Sequence, residues 1–514
     1  MYRNVLDLLE KQAIQNADKL AFGDDTKDIT FSELNEKSRV VGAYLLKKIQ
    51  TADPVAFYME KSVDAVCGMF GTVYAGGFYS FLDVKQPFSR IHTVLDVLKP
   101  SVVFTTADLF DKAKDLVNSA SFEFAIEVVV LEEVLNKNEV SKDEEYRLHE
   151  VRTSFCDINP LYVNFTSGST GIPKGVAVSH RSVIEFIECF VDIFGIKRDD
   201  IIANQAPFDF DVSVKDIYST LRNGATLCVV TPKQISFPKL LIPYLTEKKV
   251  TTLIWAVSAL AMTAAMKGLD KGVPPHLKKI MFSGEVMPVK VLNYWREKLP
   301  EAMFVNLYGP TEITCNCTYY IVDREFTAGE ALPIGKAFPN TEILLLNQEN
   351  RLCQEGEEGE ICVRGSSLAL GYYREQELTQ RAFCQNPLNH SFPELIYRTG
   401  DLGRLVDGEL FYSGRRDFQI KHMGHRIELG EIEQAMDALG YVERSCCIYD
   451  NVKEKIWLFY QAEEECGKQI AADLQKYLPK YMCPNRYMYL EGLPLNKNGK
   501  IDRRRIREEY LEGE

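Results

Sequence analysis

The sequence predicts an α/β protein in two parts: a large N-terminal domain of layered sheets and helices, then a small α+β domain. Three observations carry the prediction. The chain has 514 residues, beyond the length at which a single hydrophobic core stops growing. Up to about residue 400, short β-rich runs alternate with stretches whose apolar residues recur at helical spacing. After Asp407 the texture turns Gly-rich and then compactly mixed.

The runs 55–59, 102–105, 225–230, 252–256, 279–282 and 303–307 have the length and branched or aromatic content of buried strands. Residues 32–47, 182–194 and 289–298 show helical spacing. Such alternation feeds a largely parallel sheet with helices on both faces. Residues 136–152 are polar and charge-rich, which predicts a surface excursion. Asp407-Gly408, Ser413-Gly414 and Gly424 then lead into Glu428-Leu-Gly-Glu-Ile-Glu433, and basic residues gather between Lys497 and Arg507. About 100 residues suffice for a small domain, so the domains are expected at 1–414 and 415–514.

Hydrophobic residues at 46% and charged residues at 26% exclude disorder over most of the chain, collagen and coiled coil. The net charge of −13 argues against nucleic acid as a partner. The apolar runs 128–131 and 343–346 stop well short of a membrane span. The first residues lack the apolar stretch of a signal peptide, so a cytoplasmic location is expected. The 13 cysteines include no C-x-x-C, and are expected to be reduced and mostly buried.

Thr166-Ser-Gly-Ser-Thr-Gly-Ile-Pro-Lys-Gly175 directly follows the apolar run 161–165. Its glycines let backbone N–H groups turn inward, while the hydroxyls of Thr166, Ser167, Ser169 and Thr170 and the cation of Lys174 add donors. The result is a nest for phosphate oxygens. It is not a P-loop, because Pro173 precedes the lysine and Gly175 follows it. A Ser/Gly surface linker is the plainer reading, and the fixed Pro-Lys-Gly end speaks against it. Asn306-Leu-Tyr-Gly-Pro-Thr-Glu312 follows an expected strand, at the sheet end where α/β proteins bind ligands. There Tyr308 offers a face for a base, and Thr311 and Glu312 offer oxygens for Mg²⁺. In Tyr397-Arg-Thr-Gly-Asp401 an acidic residue after a tight Gly turn suits ribose hydroxyls. Gly414-Arg-Arg-Asp417 and Leu493-Pro-Leu-Asn-Lys-Asn-Gly-Lys500 follow. A lone tail lysine is ordinarily a solubility charge; its company points elsewhere.

In this order and spacing the stretches resemble the adenylate-forming superfamily. The likeness is nearest to adenylation domains of nonribosomal peptide synthetases and to D-alanine:D-alanyl carrier protein ligases. It extends to Ile29-Thr-Phe-Ser-Glu-Leu34, Tyr74-Ala-Gly-Gly77, Phe210-Asp-Val-Ser-Val214, Gly359-Glu360, Gly371-Tyr-Tyr373 and Arg426-Ile-Glu-Leu-Gly-Glu-Ile-Glu433. The resemblance implies a mobile C-terminal lid hinged at Asp417, with ATP and Mg²⁺ as the nucleotide and metal. It implies that the loop from Thr166 through Ser167, Gly168, Ser169, Thr170 and Gly171 to Lys174 holds the β- and γ-phosphates. Glu312 would bind Mg²⁺, Tyr308 would stack on adenine beside Gly309 and Thr311, and Asp401 would take the ribose hydroxyls with Arg415 nearby. Lys500 would lie between the substrate carboxylate, the α-phosphate and the ribose ring oxygen.

The implied chemistry is transfer of AMP to a carboxylate, then release of the acyl group to a thiol as the lid rotates. Met423 stands where the family commonly has a basic residue. No Gly-Gly-x-Ser pattern near the C-terminus would accept phosphopantetheine, so a phosphopantetheinylated carrier protein in trans is the expected thiol source, with coenzyme A competing. The basic tail at 503–507 is a candidate docking face for an acidic carrier, a solvated charge run being the plainer reading.

Asp211 occupies the position that binds the α-ammonium in the amino-acid-activating branch; a helix cap is the plainer role. Carried over likewise, Val212, Lys215, Ile254, Met281, Ser283, Leu307, Cys315 and Asn316 line the pocket. D-alanine ligases usually have an apolar residue at Lys215 and a cysteine at Ser283. A buried ammonium calls for a partner, so glutamate or aspartate is the expected substrate. An Asp211–Lys215 helix pair would instead leave a small pocket for alanine or serine. The alternative functions are an acyl-CoA synthetase for a non-amino carboxylate and a nucleotide-binding protein without catalysis. Retention of Lys174, Glu312 and Lys500 weighs against the latter.

Overall fold

The computed structural model describes residues 2–137, 139–168, 172–327, 329–416, 419–495 and 501–511. The chain divides into two compact units. One comprises residues 1–83, 98–164 and 175–416, the other residues 84–97, 165–174 and 417–514.

The first unit holds two large sheets of mainly parallel strands. The nine-stranded sheet runs Lys336–Ala337, Thr318–Ile321, Met303–Tyr308, Lys279–Ser283, Thr252–Ala256, Ile201–Asn204, Thr226–Val229, Leu20–Gly23, Asp28–Thr30. Its inner strands are buried except at the half-buried first residues Ile201 and Lys279, as parallel strands covered on both faces should be. Register places Ile254 opposite Met281 and Ala256 opposite Ser283, so the carboxyl ends of these strands open on one edge. A seven-stranded sheet centres on Pro54–Tyr58, Phe78–Phe81 and Pro160–Thr166. Large side chains fill the space over these sheets, and the buried indoles are hydrogen-bonded: Trp255 Nε1 donates to the Ala203 carbonyl at 2.8 Å and Trp295 Nε1 to that of Leu260 at 3.1 Å.

Three features depart from the sequence reading. The polar stretch 136–152 contains a helix, Lys142–Ser154, closed by a capping box between Ser141 and Glu144 and burying only Leu148. With one apolar anchor it shows no hydrophobic period; its cap and the Lys47–Glu144 pair at 2.7 Å hold it. Second, the stretch 341–415 forms an antiparallel five-stranded sheet. Third, Gly400 is not in a turn. It lies within the twelve-residue strand Leu395–Val406 at φ 73°, where the register slips between Glu360 and Cys362 of the facing strand. A bulge of this kind re-aims a side chain, here Asp401. The stretch Ile29–Leu34 is a helix start: Thr30 caps Phe31–Leu45 in a capping box with Glu33.

In the second unit a hairpin of Gln419–His422 and His425–Glu428 precedes the helix Leu429–Asp437 and a sheet of Val442–Asp450, Lys455–Ala462 and Arg486–Tyr489. Within it Arg90 and Glu431 form a buried ion pair. The tail helix Arg503–Tyr510 spends its basic residues internally. Arg503 binds Glu433 at 2.6 Å, and Arg504 and Arg505 pair with Glu508 and Glu509 at 2.8 and 2.6 Å. That weakens the tail as a basic docking face. All 13 cysteines are free thiols. No helix among the described residues is long and apolar enough to cross a membrane.

Candidate active site

The loop after the strand Pro160–Thr166 is described up to Gly168 and again from Ile172. A Cβ on Gly168 would meet the Ile172 carbonyl oxygen at 1.9 Å, so the two limbs close on each other only because residue 168 has no side chain. Ser167 is buried, and its hydroxyl donates to the Arg426 carbonyl at 2.6 Å. Lys174 Nζ lies 3.9 Å from Glu428. Ser169, Thr170, Gly171, Asp417 and Lys500 lie outside the described residues.

The strand Met303–Tyr308 delivers a second group of residues. A Cβ on Gly309 would sit 2.5 Å from the Asn316 Cα, so this glycine lets the chain pass against the 314–317 turn. The Tyr308 hydroxyl donates to Asp401 Oδ2 at 2.5 Å, and Arg415 Nη1 donates to Asp401 Oδ1 at 2.5 Å. Arg415 also donates to the Thr399 carbonyl at 3.1 Å. Asp401 and Arg415 face each other across antiparallel strands, an opposite-charge pairing that favours this register. Burial, and then the Asp401 charge, push the Tyr308 phenol well above its usual pKa, so it stays a donor. Glu312, 1% exposed, accepts the Tyr372 hydroxyl at 2.8 Å; Thr311 is buried beside it in sequence. Tyr372 as the partner of Glu312 is a residue the sequence reading missed. It sits in the quoted Gly-Tyr-Tyr motif, but nothing in the chain marks its 60-residue reach.

Among the described residues no cluster of His, Cys, Asp and Glu could hold a metal by protein ligands alone. A single buried carboxylate with a hydroxyl next to it still fits Mg²⁺, which binds through one or two carboxylates plus substrate phosphates and keeps several waters.

The third group surrounds the helix Val212–Asn223. Asp211 is its N-cap residue but makes no side-chain capping bond, so the capping role does not account for it. Lys215 is completely buried. Its Nζ donates to Asn316 Oδ1 at 2.8 Å and to Ser283 Oγ at 3.1 Å. Burial lowers its pKa, while the nearby Asp211 and Asp216 carboxyl groups oppose that fall. The Cys315 thiol donates to the Asp211 carbonyl at 3.2 Å. Thr314 and Cys315 both adopt positive φ, 56° and 75°, a strained conformation for a branched residue. The Thr314 hydroxyl anchors it on the Ser367 carbonyl at 2.7 Å. That turn is what places Cys315 and Asn316 against Asp211 and Lys215. Val212, Leu307, Ile254 and Met281 are buried, the last three on the adjacent strands Met303–Tyr308, Thr252–Ala256 and Lys279–Ser283. The Tyr162 hydroxyl is a further buried group without a hydrogen-bond partner. Burial pushes its pKa well up, and the Asp211 charge adds to that rise.

Residues 9–373 match the family model described as AMP-binding enzyme. The chain is 33% identical over 517 residues to the D-alanine--D-alanyl carrier protein ligase of Bacillus licheniformis, covering 98% of this chain and 99% of that one. It is 30% identical to the ligase of the same name from Bacillus cytotoxicus, over 98% of each. In structure it is similar to the Vibrio cholerae adenylation domain AlmE solved with glycyl-adenosine-5'-phosphate. The TM-score is 0.83 at 21% identity, over 100% of this chain and 98% of that one. It is also similar to a nonribosomal peptide synthetase protein with adenylation and carrier domains, PA1221. There the TM-score is 0.82 at 22% identity, over 99% and 84% of the two chains. At these identities the structural likeness speaks for the fold.

Proposed function

The chain belongs to the AMP-binding enzyme family, and from that premise we propose that it activates an amino acid with ATP as the aminoacyl adenylate and loads it onto the thiol of a separate carrier protein. The observation that carries this is the buried group of Asp211, Lys215, Ser283, Cys315 and Asn316 at the carboxyl ends of the strands. An anion beside a network of polar groups, enclosed by apolar neighbours, is what an α-ammonium requires and what a fatty or aryl acid does not.

Each residue group has a task in the proposed first step. Attack of the substrate carboxylate on the α-phosphorus builds negative charge on the equatorial oxygens and the departing pyrophosphate, so donors and cations supply most of the catalysis. The 166–174 loop and Lys174 would hold the β- and γ-phosphates. Tyr308 would offer its ring to adenine. Asp401, oriented by Tyr308 and Arg415, would accept the ribose hydroxyls. Mg²⁺ held by Glu312 would neutralise phosphate charge. Lys500 would bridge carboxylate and α-phosphate. In the proposed second step a C-terminal domain of residues 415–514 turns about Asp417, Lys500 leaves, and a phosphopantetheine thiol attacks the acyl carbon. AMP then departs, its leaving-group quality making access rather than acid–base help the requirement.

Two side chains are in contention, each with its own support. The relatives named for D-alanine support a small one. Lys215 supports an acidic one, because its ammonium carries three N–H groups and is met by two neutral acceptors. The test is ATP–pyrophosphate exchange with each amino acid in both chiralities, followed by loading of a purified holo carrier. Exchange with no amino acid, together with coenzyme A-dependent turnover of a non-amino acid, would overturn the proposal.

A further inference from the structure

Lys61 belongs to no motif. It lies between the strand Pro54–Tyr58 and the helix Val63–Tyr74, far in sequence from the pocket. Its Nζ is placed to donate to four oxygens. These are the carbonyls of Gln205 at 2.7 Å, Asn204 at 2.9 Å and Ala206 at 3.3 Å, and the Asn204 amide oxygen at 2.9 Å. The strand Ile201–Asn204 ends here, and the segment 205–211 sets out toward Asp211. The Asn204 carbonyl also accepts the Val230 N–H at 3.0 Å, whereas those of Gln205 and Ala206 lie beyond the strand, where carbonyls need other donors, and a compact ammonium gathers several at once.

The chain of contacts continues. Asn204 Nδ2 donates to Asp216 Oδ2 at 2.7 Å. Asp216 is fully buried, and its Oδ1 has no hydrogen-bond partner. Burial pushes its carboxyl up to about 7; the Asn204 bond and the charges of Lys215 and Lys61 pull the other way. Asp216 follows Lys215 in the helix Val212–Asn223. One turn of helix thus shows Lys215 to Ser283 and Asn316 and Asp216 to Asn204. Fixing one fixes the other.

We propose that Lys61, acting through Asn204 and Asp216, is the positioning residue of the amino-acid pocket, holding the segment 205–211 and the first turn of the helix so that Asp211 and Lys215 keep their places in the pocket. This rests on the amino-acid activation proposed above. The oxygens that Lys61 gathers belong to residues 204–206, whereas Tyr308, Asp401 and Arg415 ride on other strands. Its loss therefore falls on the amino acid rather than on ATP.

The experiment is ATP–pyrophosphate exchange on the full chain. It uses whichever of D-alanine, L-alanine, glycine, L-glutamate and L-aspartate the unmodified chain exchanges fastest. Lys61→Met is expected to raise the amino-acid KM about tenfold or more while the ATP KM stays within about twofold, and Lys61→Arg to bring the amino-acid KM back to within about threefold. Lys61→Gln, which keeps a donor without the charge, is expected to fall between them. An unchanged amino-acid KM in a folded variant, or equal rises in both constants, overturns the proposal. So does failure of both Lys61→Met and Lys61→Gln to fold, which would make Lys61 a support of the fold alone. If the unmodified chain exchanges none of the five, the amino-acid reading falls and takes this proposal with it, a failure distinct from the others.

Discussion

Replacing Lys215 by methionine tests the pocket most directly, because it keeps the length of the side chain and removes its charge. In the folded chain the ammonium is completely buried and held by Ser283 and Asn316 at 3.1 and 2.8 Å. Its removal strands two neutral acceptors, at about 1–3 kcal/mol each, and relieves a desolvation penalty of several kcal/mol. The two effects oppose each other at similar size, so Lys215→Met is expected to shift stability by less than about 2 kcal/mol. Substrate turnover behaves differently. If an acidic side chain pairs with Lys215, deleting one partner of a buried pair costs about 3–5 kcal/mol. At about 1.4 kcal/mol per factor of ten, kcat/KM for L-glutamate or L-aspartate then falls by a factor of about 10² to 4 × 10³. Alanine has no group to reach the ammonium, and its kcat/KM should stay within about threefold or improve. Pyrophosphate exchange on both chains with both classes of substrate measures this. Equal losses for alanine and glutamate, or no exchange of either acidic amino acid by the unmodified chain, would refute the reasoning.

If Asp211 pairs with the substrate α-ammonium as proposed, Asp211→Ala should raise the amino-acid KM by about a hundredfold and spare the ATP KM; a steady-state matrix of the two substrates checks it. Lys500→Ala should cut adenylation by about three orders of magnitude, yet leave transfer from synthetic aminoacyl adenylate to the carrier nearly intact. Equal loss in the two half-reactions would remove Lys500 from its assigned task. A further prediction concerns acid stability. His180 is fully buried; Val5 donates to its Nδ1 at 3.4 Å, and burial lowers its pKa from 6.5 to about 3. Below pH 6.5 the unfolded chain binds a proton that the folded one refuses, so stability falls as pH falls toward 3. Between pH 7.5 and pH 5 this one group should cost about 2 kcal/mol. Urea unfolding at the two pH values should show that loss in the unmodified chain and not in His180→Gln.

The loops rich in glycine and hydroxyls were legible because their physics is local. Gly168 and Gly309 stand where a Cβ would strike the backbone of Ile172 and Asn316, close neighbours in the chain. The strands around 55, 103, 254, 281 and 305 and the helix Val289–Lys298 announced themselves by uninterrupted or periodic apolar residues. The helix Lys142–Ser154 stayed hidden because its signal is a cap and surface charges. The antiparallel sheet from 341 to 415 stayed hidden because its strands meet through long-range register.

The sequence alone determined which hydroxyl-rich loops, aromatic rings and carboxylates the molecule owns, and the order in which they come. Tertiary structure decided which of them meet. Lys215 reaches Ser283 and Asn316 across 68 and 101 residues, Tyr308 reaches Asp401 across 93, and Glu312 reaches Tyr372 across 60. No local pattern encodes such pairs. Crossover connections return each parallel strand in the same direction, so that distant carboxyl ends arrive at one edge, and a single bulge at Gly400 decides where Asp401 points.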